Sequence, residues 1–253
     1  MTEHREVMPP RGGAEMTEHL LTYTEKRTRQ GWMLGTSAMR LRDGTSLVYS
    51  PTRLLPAAAH EAILKVGRPS VLLAPNHYHY LGLSEFRERY PEAVSICSDV
   101  ARRRLARKAP QATFGRLEDI AARLPEGAEF LEPPGTRNGE VWLTVEGEDG
   151  PIWLICDAFF NVPRHPRGFI GLFCRLTGTT PGLRIGLTWK LLALRDRRRY
   201  ADWLLSRLHE APPTALIPCH GNPAGGTDLG ARLIALETNS DHIVVSKIRI
   251  PAR

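Results

Sequence analysis

The chain has 253 residues, of which 42% are hydrophobic and 24% are charged, a composition typical of a soluble globular domain with a sizeable core. Its formal net charge is +7, but the basic clusters at 102–108 and 195–199 fall within helical patterns without interleaved aromatic residues, which does not favour a nucleic-acid-binding protein. No apolar stretch approaches the roughly 20 residues that a membrane span needs, and the first residues do not resemble a secretory signal.

The cysteine pattern bears on the cellular compartment. The chain has four cysteines, which are widely spaced and form no C-x-x-C pair: Cys97, Cys156, Cys174 and Cys219. This spacing argues against a zinc ribbon and against a disulfide scaffold, so a cytoplasmic location is expected. We expect a flexible N-terminal arm over residues 1–25 and a single domain over residues 26–253.

In the first half of the chain, short strands and helices are predicted in alternation. The dipeptide Asp43-Gly44 predicts an antiparallel hairpin over residues 31–50. The apolar run 71–74 indicates a buried strand that stops at Pro75-Asn76. Around this strand, the pattern predicts helices over 54–66, 83–90, 100–108 and 117–124, and a further strand over 94–97.

In the second half, two strands over 140–146 and 151–156 are predicted to form a hairpin that turns at 148–150. Residues 163–186 are rich in Gly, Pro and Arg and are predicted to form a long loop that frames a site. The remaining pattern predicts a long helix over 187–208, a strand over 215–218, a helix over 229–236 and a strand or tail over 243–250.

Candidate ligands follow three of the predicted strands. His77 and His79 come after the strand 71–74, Asp157 follows the strand 151–156, and His220 follows the strand 215–218. In extended chain, residues i and i+2 point to the same side, so both imidazoles of the first pair can reach one metal ion. The alternative is that they are ordinary polar residues at a strand end. If the three strand ends are neighbours, two or three imidazoles and a carboxylate converge, a ligand mixture that zinc or iron prefers.

This order of motifs resembles the metallo-β-lactamase superfamily over about residues 32–237. The similarity includes the opening hairpin, the P-N-H-Y-H loop, the P-G-T turn at 134–136 and the His-Gly pair at 220–221. It implies an α+β fold, a four-layered αββα sandwich of metallo-β-lactamase type. It also implies that His77 and His79 match the first two histidines of the family's H-x-H-x-D-H loop, Asp157 its bridging carboxylate and His220 its final histidine.

Three positions depart from the family's pattern. Leu81 stands in place of the loop aspartate, Gly82 in place of the second-metal histidine, and Thr136 near the histidine of the P-G-H-T turn. A two-metal site therefore cannot be completed in the family's way.

The resemblance implies at most one zinc or iron ion, and the absence of any metal stays open as an alternative. The expected metal ligands are His77, His79, Asp157 and His220, with Asp157 and His220 also expected as catalytic residues. A metal with three protein ligands keeps an open position and lowers the pKa of a bound water to about 7. Tyr78, Tyr80 and His165 are alternatives for the missing groups.

The function implied by the resemblance is a metal-dependent hydrolase with a reduced, mononuclear site that acts on an ester, thioester, amide or phosphodiester. The alternative is a non-catalytic binding or assembly protein of the same fold that has lost its metal site. A nucleic-acid-binding member that uses the basic helices is a third hypothesis. The expected partner is a small-molecule substrate, without nucleic acid or membrane. The substrate and the oligomeric state do not follow from the sequence.

Overall fold

The computed structural model describes residues 13–17, 19–26, 33–186 and 189–246. The strands are β1 (Gly13–Thr17), β2 (Leu20–Lys26), β3 (Met33–Arg40), β4 (Ser46–Tyr49), β5 (Pro69–Leu73), β6 (Val94–Ile96), β7 (Phe114–Gly115), β8 (Glu129–Leu131), β9 (Trp142–Gly147), β10 (Gly150–Ile155), β11 (Phe160–Val162), β12 (Gly182–Arg184), β13 (Ala215–Pro218) and β14 (Ala224–Gly225). The helices are α1 (Ala57–Val66), α2 (Leu83–Arg89), α3 (Asp99–Lys108), α4 (Glu118–Ala121), α5 (Gly168–Leu176), α6 (Arg197–Glu210) and α7 (Leu229–Ser246), with a π-helical turn at Trp189–Ala193.

Two sheets form the framework. The larger sheet has the order β1-β2-β3-β4-β5-β6-β7, antiparallel from β1 to β4 and parallel from β4 to β7. The smaller sheet has the order β14-β13-β10-β9-β8, and β13 runs parallel to β10. A separate two-stranded ribbon pairs β11 with β12.

Three apolar clusters give the order of the layers. One cluster joins the inner faces of the two sheets, a second packs the larger sheet against α1, α2 and α3, and a third packs the smaller sheet against α6 and α7. Strand β5 is buried on both faces. Val71 and Leu73 face the inner cluster, whereas Leu72 and Ala74, the residue that follows the strand, face the helices. A strand buried on both faces is apolar at every position. This arrangement confirms the predicted αββα sandwich.

The N-terminal segment differs from the expected arm. Strands β1 and β2 extend the larger sheet, with all of β2 paired to residues 33–39 of β3. Leu20 is buried in the inner cluster and Leu21 in the outer one, so both faces of β2 are covered. Residues 13–17 and 19–25 are therefore part of the sandwich, and residues 1–12 of the expected arm lie outside the described residues.

Three connections in the second half also differ from the prediction. The predicted loop 163–186 contains helix α5 and strand β12. The predicted helix 187–208 is divided after the π-helical turn, because Asp196 caps a new helix by accepting a hydrogen bond from the Arg199 backbone N–H at 3.0 Å. Helix α7 runs on through residues 243–246, which were expected in a strand or tail, and residues 247–250 lie outside the described part.

Among the described ranges, the helices lack the combination of length and apolar character that a membrane crossing requires.

Candidate metal centre

Two pairs of parallel strands end at one edge of the sandwich. Strand β4 is parallel to β5 in the larger sheet, and β10 is parallel to β13 in the smaller one. The sheets are joined at this edge, where the Gly35 backbone N–H donates a 2.7 Å hydrogen bond to the Cys219 carbonyl oxygen. Side chains that follow the carboxyl ends of these four strands therefore lie close together.

His79, Asp157 and His220 meet at this edge. The Nε2 atom of His79 lies 3.2 Å from Asp157 Oδ1, and the Nε2 atom of His220 lies 3.1 Å from the same oxygen. The imidazole rings are edge-to-face with their centroids 5.0 Å apart. The three residues offer ligand atoms within 4.8 Å of one another. Ligands at 2.0–2.1 Å from a tetrahedral zinc ion stand about 3.3 Å apart, so this spacing fits one ion.

The orientation of the His220 ring also suits a metal ligand. Its Nδ1 atom lies 3.1 Å from the Met33 carbonyl oxygen, an acceptor, so Nδ1 carries a proton. In the neutral imidazole, Nε2 then carries a lone pair that faces Oδ1 of Asp157, 3.1 Å away. These two acceptor atoms repel each other unless a proton or a cation lies between them. A histidine that donates its other N–H to a backbone carbonyl is the usual arrangement of a metal ligand.

His79 is oriented by Ser50. The Ser50 hydroxyl lies 3.0 Å from His79 Nδ1, which leaves Nε2 directed at Asp157. Ser50 has a backbone φ of 56°, a conformation that residues other than glycine rarely adopt. Such local strain often accompanies a functional position because the surrounding structure must enforce it. Here the strained backbone holds the hydroxyl against the candidate ligand.

The charges at the site are mutually dependent. Burial alone would raise the pKa of Asp157, but the imidazoles of His79 and His220 hold it well below its ordinary range. Burial alone would lower the pKa of His79, but the Asp157 carboxylate outweighs that effect and raises it well above its usual value. The group thus holds an ionised carboxylate with positive charge beside it.

A second carboxylate, Glu140, lies buried beneath the site. Its Oε1 accepts hydrogen bonds from the backbone N–H groups of residues 156, 157 and 158 at 3.2, 2.8 and 3.1 Å, and from Trp142 Nε1 at 3.2 Å. Its Oε2 accepts from the side-chain amides of Asn76 and Asn138 at 3.0 and 3.2 Å. Burial and the Asp157 charge raise the pKa of Glu140 to about 8, whereas six donors favour its ionised form. Glu140 therefore fixes the chain segment that carries Asp157.

His77 departs from the prediction. Residues 77 and 78 lie in a turn, in which the Asn76 side-chain oxygen accepts hydrogen bonds from the backbone N–H groups of Tyr78 and His79 at 2.8 and 3.2 Å. The two histidines therefore do not project to the same side. His77 Nδ1 lies 2.9 Å from the Asn138 carbonyl oxygen, and its Nε2 lies 3.0 Å from the Arg104 guanidinium.

Both ring nitrogens of His77 thus have protein partners. Burial, followed by the positive charge of Arg104, lowers the pKa of His77. Among the described residues, His77 belongs to none of the groups whose ligand atoms converge. The structure thus brings together three of the four predicted ligands, whereas His77 lies apart from them with partners of its own.

Leu81 and Thr136, two positions at which the family's ligands are missing, and His165, one of the residues offered as an alternative ligand, have other surroundings. The Leu81 side chain is 54% exposed, and Thr136 forms an isolated bridge with Leu194. His165 Nδ1 lies 2.8 Å from the Thr180 hydroxyl.

Sequence reasoning missed three residues that organise the site: Ser50, Asn76 and Glu140. Asn76 is the one with a visible signal, since it stands directly after a buried strand, where an amide can cap the turn. Glu140 gave no signal, because an acidic residue at the start of an alternating strand is normally solvent-exposed.

Comparison with known proteins relates this fold to solved structures. A metallo-beta-lactamase from Pontibacter korlensis superposes with a TM-score of 0.56 at 13% identity, over 90% of this chain and 98% of that chain. The metallo-beta-lactamase FIM-1 from Pseudomonas aeruginosa in its mono-zinc form gives 0.56 at 13% identity, over 91% and 98%. A putative diflavin flavoprotein fragment from Nostoc sp. gives 0.58 at 12% identity, over 92% and 100%.

No family model matches the sequence. No curated protein shows significant similarity to it. At identities this low, the structural similarity establishes the fold and leaves the activity to be argued from the site.

Proposed function

We propose that this chain, a divergent protein of the metallo-β-lactamase fold, is a metal-dependent hydrolase with one metal site formed by His79, Asp157 and His220. The observation that carries the proposal is the convergence of two Nε2 atoms on one carboxylate oxygen at 3.1 and 3.2 Å. Two imidazoles and a carboxylate suit zinc or ferrous iron, and a three-ligand set keeps a position open. When bound, the ion would act as a Lewis acid and activate water.

The protein's own residues keep this group in place. Ser50 directs His79, the Met33 carbonyl directs His220, and Asn76 donates a 2.8 Å hydrogen bond to Asp157 Oδ2. This bond leaves Oδ1 for the two imidazoles. Both ring nitrogens of His220 are engaged, Nδ1 by the Met33 carbonyl and Nε2 by the metal set. The Asp157 carboxylate, the most exposed of the three side chains, is therefore the group placed to accept a proton and to release it during hydrolysis.

The opening of the site is compatible with a small substrate. The Asp157 side chain is 18% exposed, whereas those of His79 and His220 are 10% and 7% exposed. Solvent thus reaches the carboxylate more than it reaches either imidazole. Arg104 and Lys108 lie on the neighbouring helix α3, where Lys108 Nζ donates to the His77 carbonyl oxygen at 3.1 Å. Their positive charges beside the loop favour an anionic substrate with an ester, thioester, amide or phosphodiester bond.

We further propose a cytoplasmic location and no nucleic-acid partner. The four cysteines are free thiols, which suits a reducing compartment.

The experiment compares metal content and hydrolysis in matched variants. The wild-type protein, reloaded with ferrous iron, is expected to bind one ion and to hydrolyse at least one member of a panel of anionic esters, thioesters, amides and phosphodiesters. His79→Ala, Asp157→Asn and His220→Ala should each lose most of the bound iron and the activity. His209→Ala, an exposed helix position, is the control. Metal content that is unchanged in all three site variants would overturn the proposal.

A further inference from the structure

Two buried thiols lie directly beneath the candidate metal site. Cys156 and Cys219 precede Asp157 and His220 in the chain, at the ends of the parallel strands β10 and β13. The register pairs Ile155 with Pro218, the last residues of the two strands, and the residue that follows each of them is a cysteine. Both thiols face the apolar layer between the two sheets, with 0% and 3% exposure.

The thiols are within reach of His79. Cys156, Cys219 and His79 offer two sulfur atoms and one nitrogen atom, all within 4.8 Å of one another. Around one zinc ion, with Zn–S at about 2.3 Å and Zn–N at about 2.0–2.1 Å, such ligand atoms stand about 3.5–3.8 Å apart. The three side chains therefore need only small shifts to hold an ion.

A polar contact also reaches the pair of thiols. The Asn76 side-chain amide donates to Cys156 Sγ at 3.3 Å. The thiolate is the form that binds metals, so an ion that binds here displaces the thiol protons. By contrast, Cys97 packs in the outer apolar cluster behind the larger sheet.

We propose that Cys156, Cys219 and His79 form a second donor set that binds a thiophilic divalent ion such as zinc or cadmium. The inference rests on the proposed function in one respect, the sharing of His79 with Asp157 and His220. Binding releases the two thiol protons to solvent, so charge balances as one divalent ion replaces two protons. A thiophilic ion on this inner set withdraws His79 from the outer set and thereby inhibits hydrolysis.

The test uses the full chain after removal of metal with a chelator. One equivalent each of Co²⁺ and, separately, Cd²⁺ is added, and the ultraviolet spectrum is recorded together with the bound-metal content. We expect an intense thiolate-to-metal charge-transfer band with both ions. The band should be lost in the double variant Cys156→Ser/Cys219→Ser and kept in His220→Ala. Cys97→Ser/Cys174→Ser, which alters two buried thiols elsewhere, is the matched control and should keep the band.

The outcomes separate this inference from the proposed function. Stoichiometric binding of both ions to the wild-type protein without a charge-transfer band would overturn the inference and leave the hydrolase proposal intact. A band without hydrolysis of any substrate in the panel supports the inference and counts against the hydrolase. If the double cysteine variant does not fold, the wild-type spectrum decides alone, and retention of the band in Asp157→Asn then supports the thiol set.

Discussion

The Asn76 side-chain nitrogen lies 2.8 Å from Asp157 Oδ2 and connects the candidate ligand to the buried carboxylate of Glu140, 3.0 Å from the same nitrogen. The orientation of the amide is fixed, because its oxygen accepts hydrogen bonds from two backbone N–H groups in the following turn. One amide thus joins the turn that carries His79 to the strand end that carries Asp157.

Replacing Asn76 with alanine should weaken both the fold and the metal site. Two buried carboxylates lose a donor, and an unmet buried acceptor costs about 1–3 kcal/mol. We expect Asn76→Ala to lower the free energy of unfolding of the metal-free protein by roughly this amount in urea, and to weaken metal binding measured by competition with a chelator. Asn239→Ala, at an exposed amide, is the control. Equal stability and equal metal affinity of the two variants would contradict the role given to Asn76.

Glu140→Gln tests whether the buried carboxylate is held as an anion. The amide that replaces one oxygen brings N–H groups towards N–H donors, and Asn76 cannot rotate away because its own oxygen is engaged. Above a pH of about 8, the pKa of Glu140, we expect a loss of about 1–3 kcal/mol in the free energy of unfolding, measured by urea denaturation. A variant as stable as the wild type would indicate that Glu140 is protonated in the native protein.

His77→Ala should keep its metal. The imidazole contacts the Asn138 carbonyl oxygen and Arg104, so its removal leaves the three convergent ligands in place. Elemental analysis should give the same metal content as the wild-type protein, whereas His79→Ala should lose the ion. If both variants lose it equally, the loop rearranges on binding and His77 regains the role that the sequence predicted.

Gly221→Ala should displace His220. Gly221 has a φ of +109°, and an added Cβ would lie 2.0 Å from the Asn161 carbonyl oxygen, so backbone must move. Gly178 has a φ of +65° with open space around it, which makes Gly178→Ala a control for backbone strain alone, at about 1–2 kcal/mol. We expect Gly221→Ala to be more destabilised than the control in thermal unfolding and to bind metal more weakly. Similar behaviour of the two variants would show that this turn tolerates a side chain.

His60 predicts a loss of stability in mild acid that is independent of the site. It is 7% exposed, and burial, followed by the charge of Arg89, lowers its pKa. The unfolded chain, in which a histidine titrates near about 6.5, then binds the proton more readily than the native protein. Stability from this group is full above that value and falls as the pH decreases below it.

The measurement compares the free energy of unfolding of the wild-type protein and of His60→Gln from about pH 7 to about pH 5. The variant should lose less stability over this range, and His209→Gln should follow the wild type. Identical slopes for all three proteins would show that His60 is protonated in the native state at no cost.

The periodicity of the sequence predicted individual strands, because most of them carry a face or faces that must be apolar, whereas the sandwich itself was implied by the resemblance to the metallo-β-lactamase superfamily. Strand β5 is apolar at each of positions 71–73, and the alternation after residue 140 matches β9. Residues that directly follow such strands could be placed at one edge, which is why Asp157 and His220 were found. The packing of β1 and β2 on the larger sheet depends on distant residues and was not visible locally.

The local backbone explains where the site prediction departed from the structure. A pair of histidines two residues apart shares one side only in extended chain, and the turn held by Asn76 rotates His77 towards α3. Glu140 could not be recognised, because its burial depends on donors supplied from residues 156–158, which directly follow strand β10. The orientation of His77 and the burial of Glu140 thus both depend on contacts between segments that are far apart in the chain.

The dipeptides Cys156-Asp157 and Cys219-His220 directly follow the parallel strands β10 and β13, with sulfur facing the inner layer and the harder donor at the edge, at the same level of both strands. Because successive side chains alternate between faces, inserting one residue into either strand would exchange the inner and outer donors on that strand alone. The alternation of side chains along β10 and β13 thus decides whether sulfur or the harder donors face the inner layer, and a shift of one residue would change the kind of metal that each face binds.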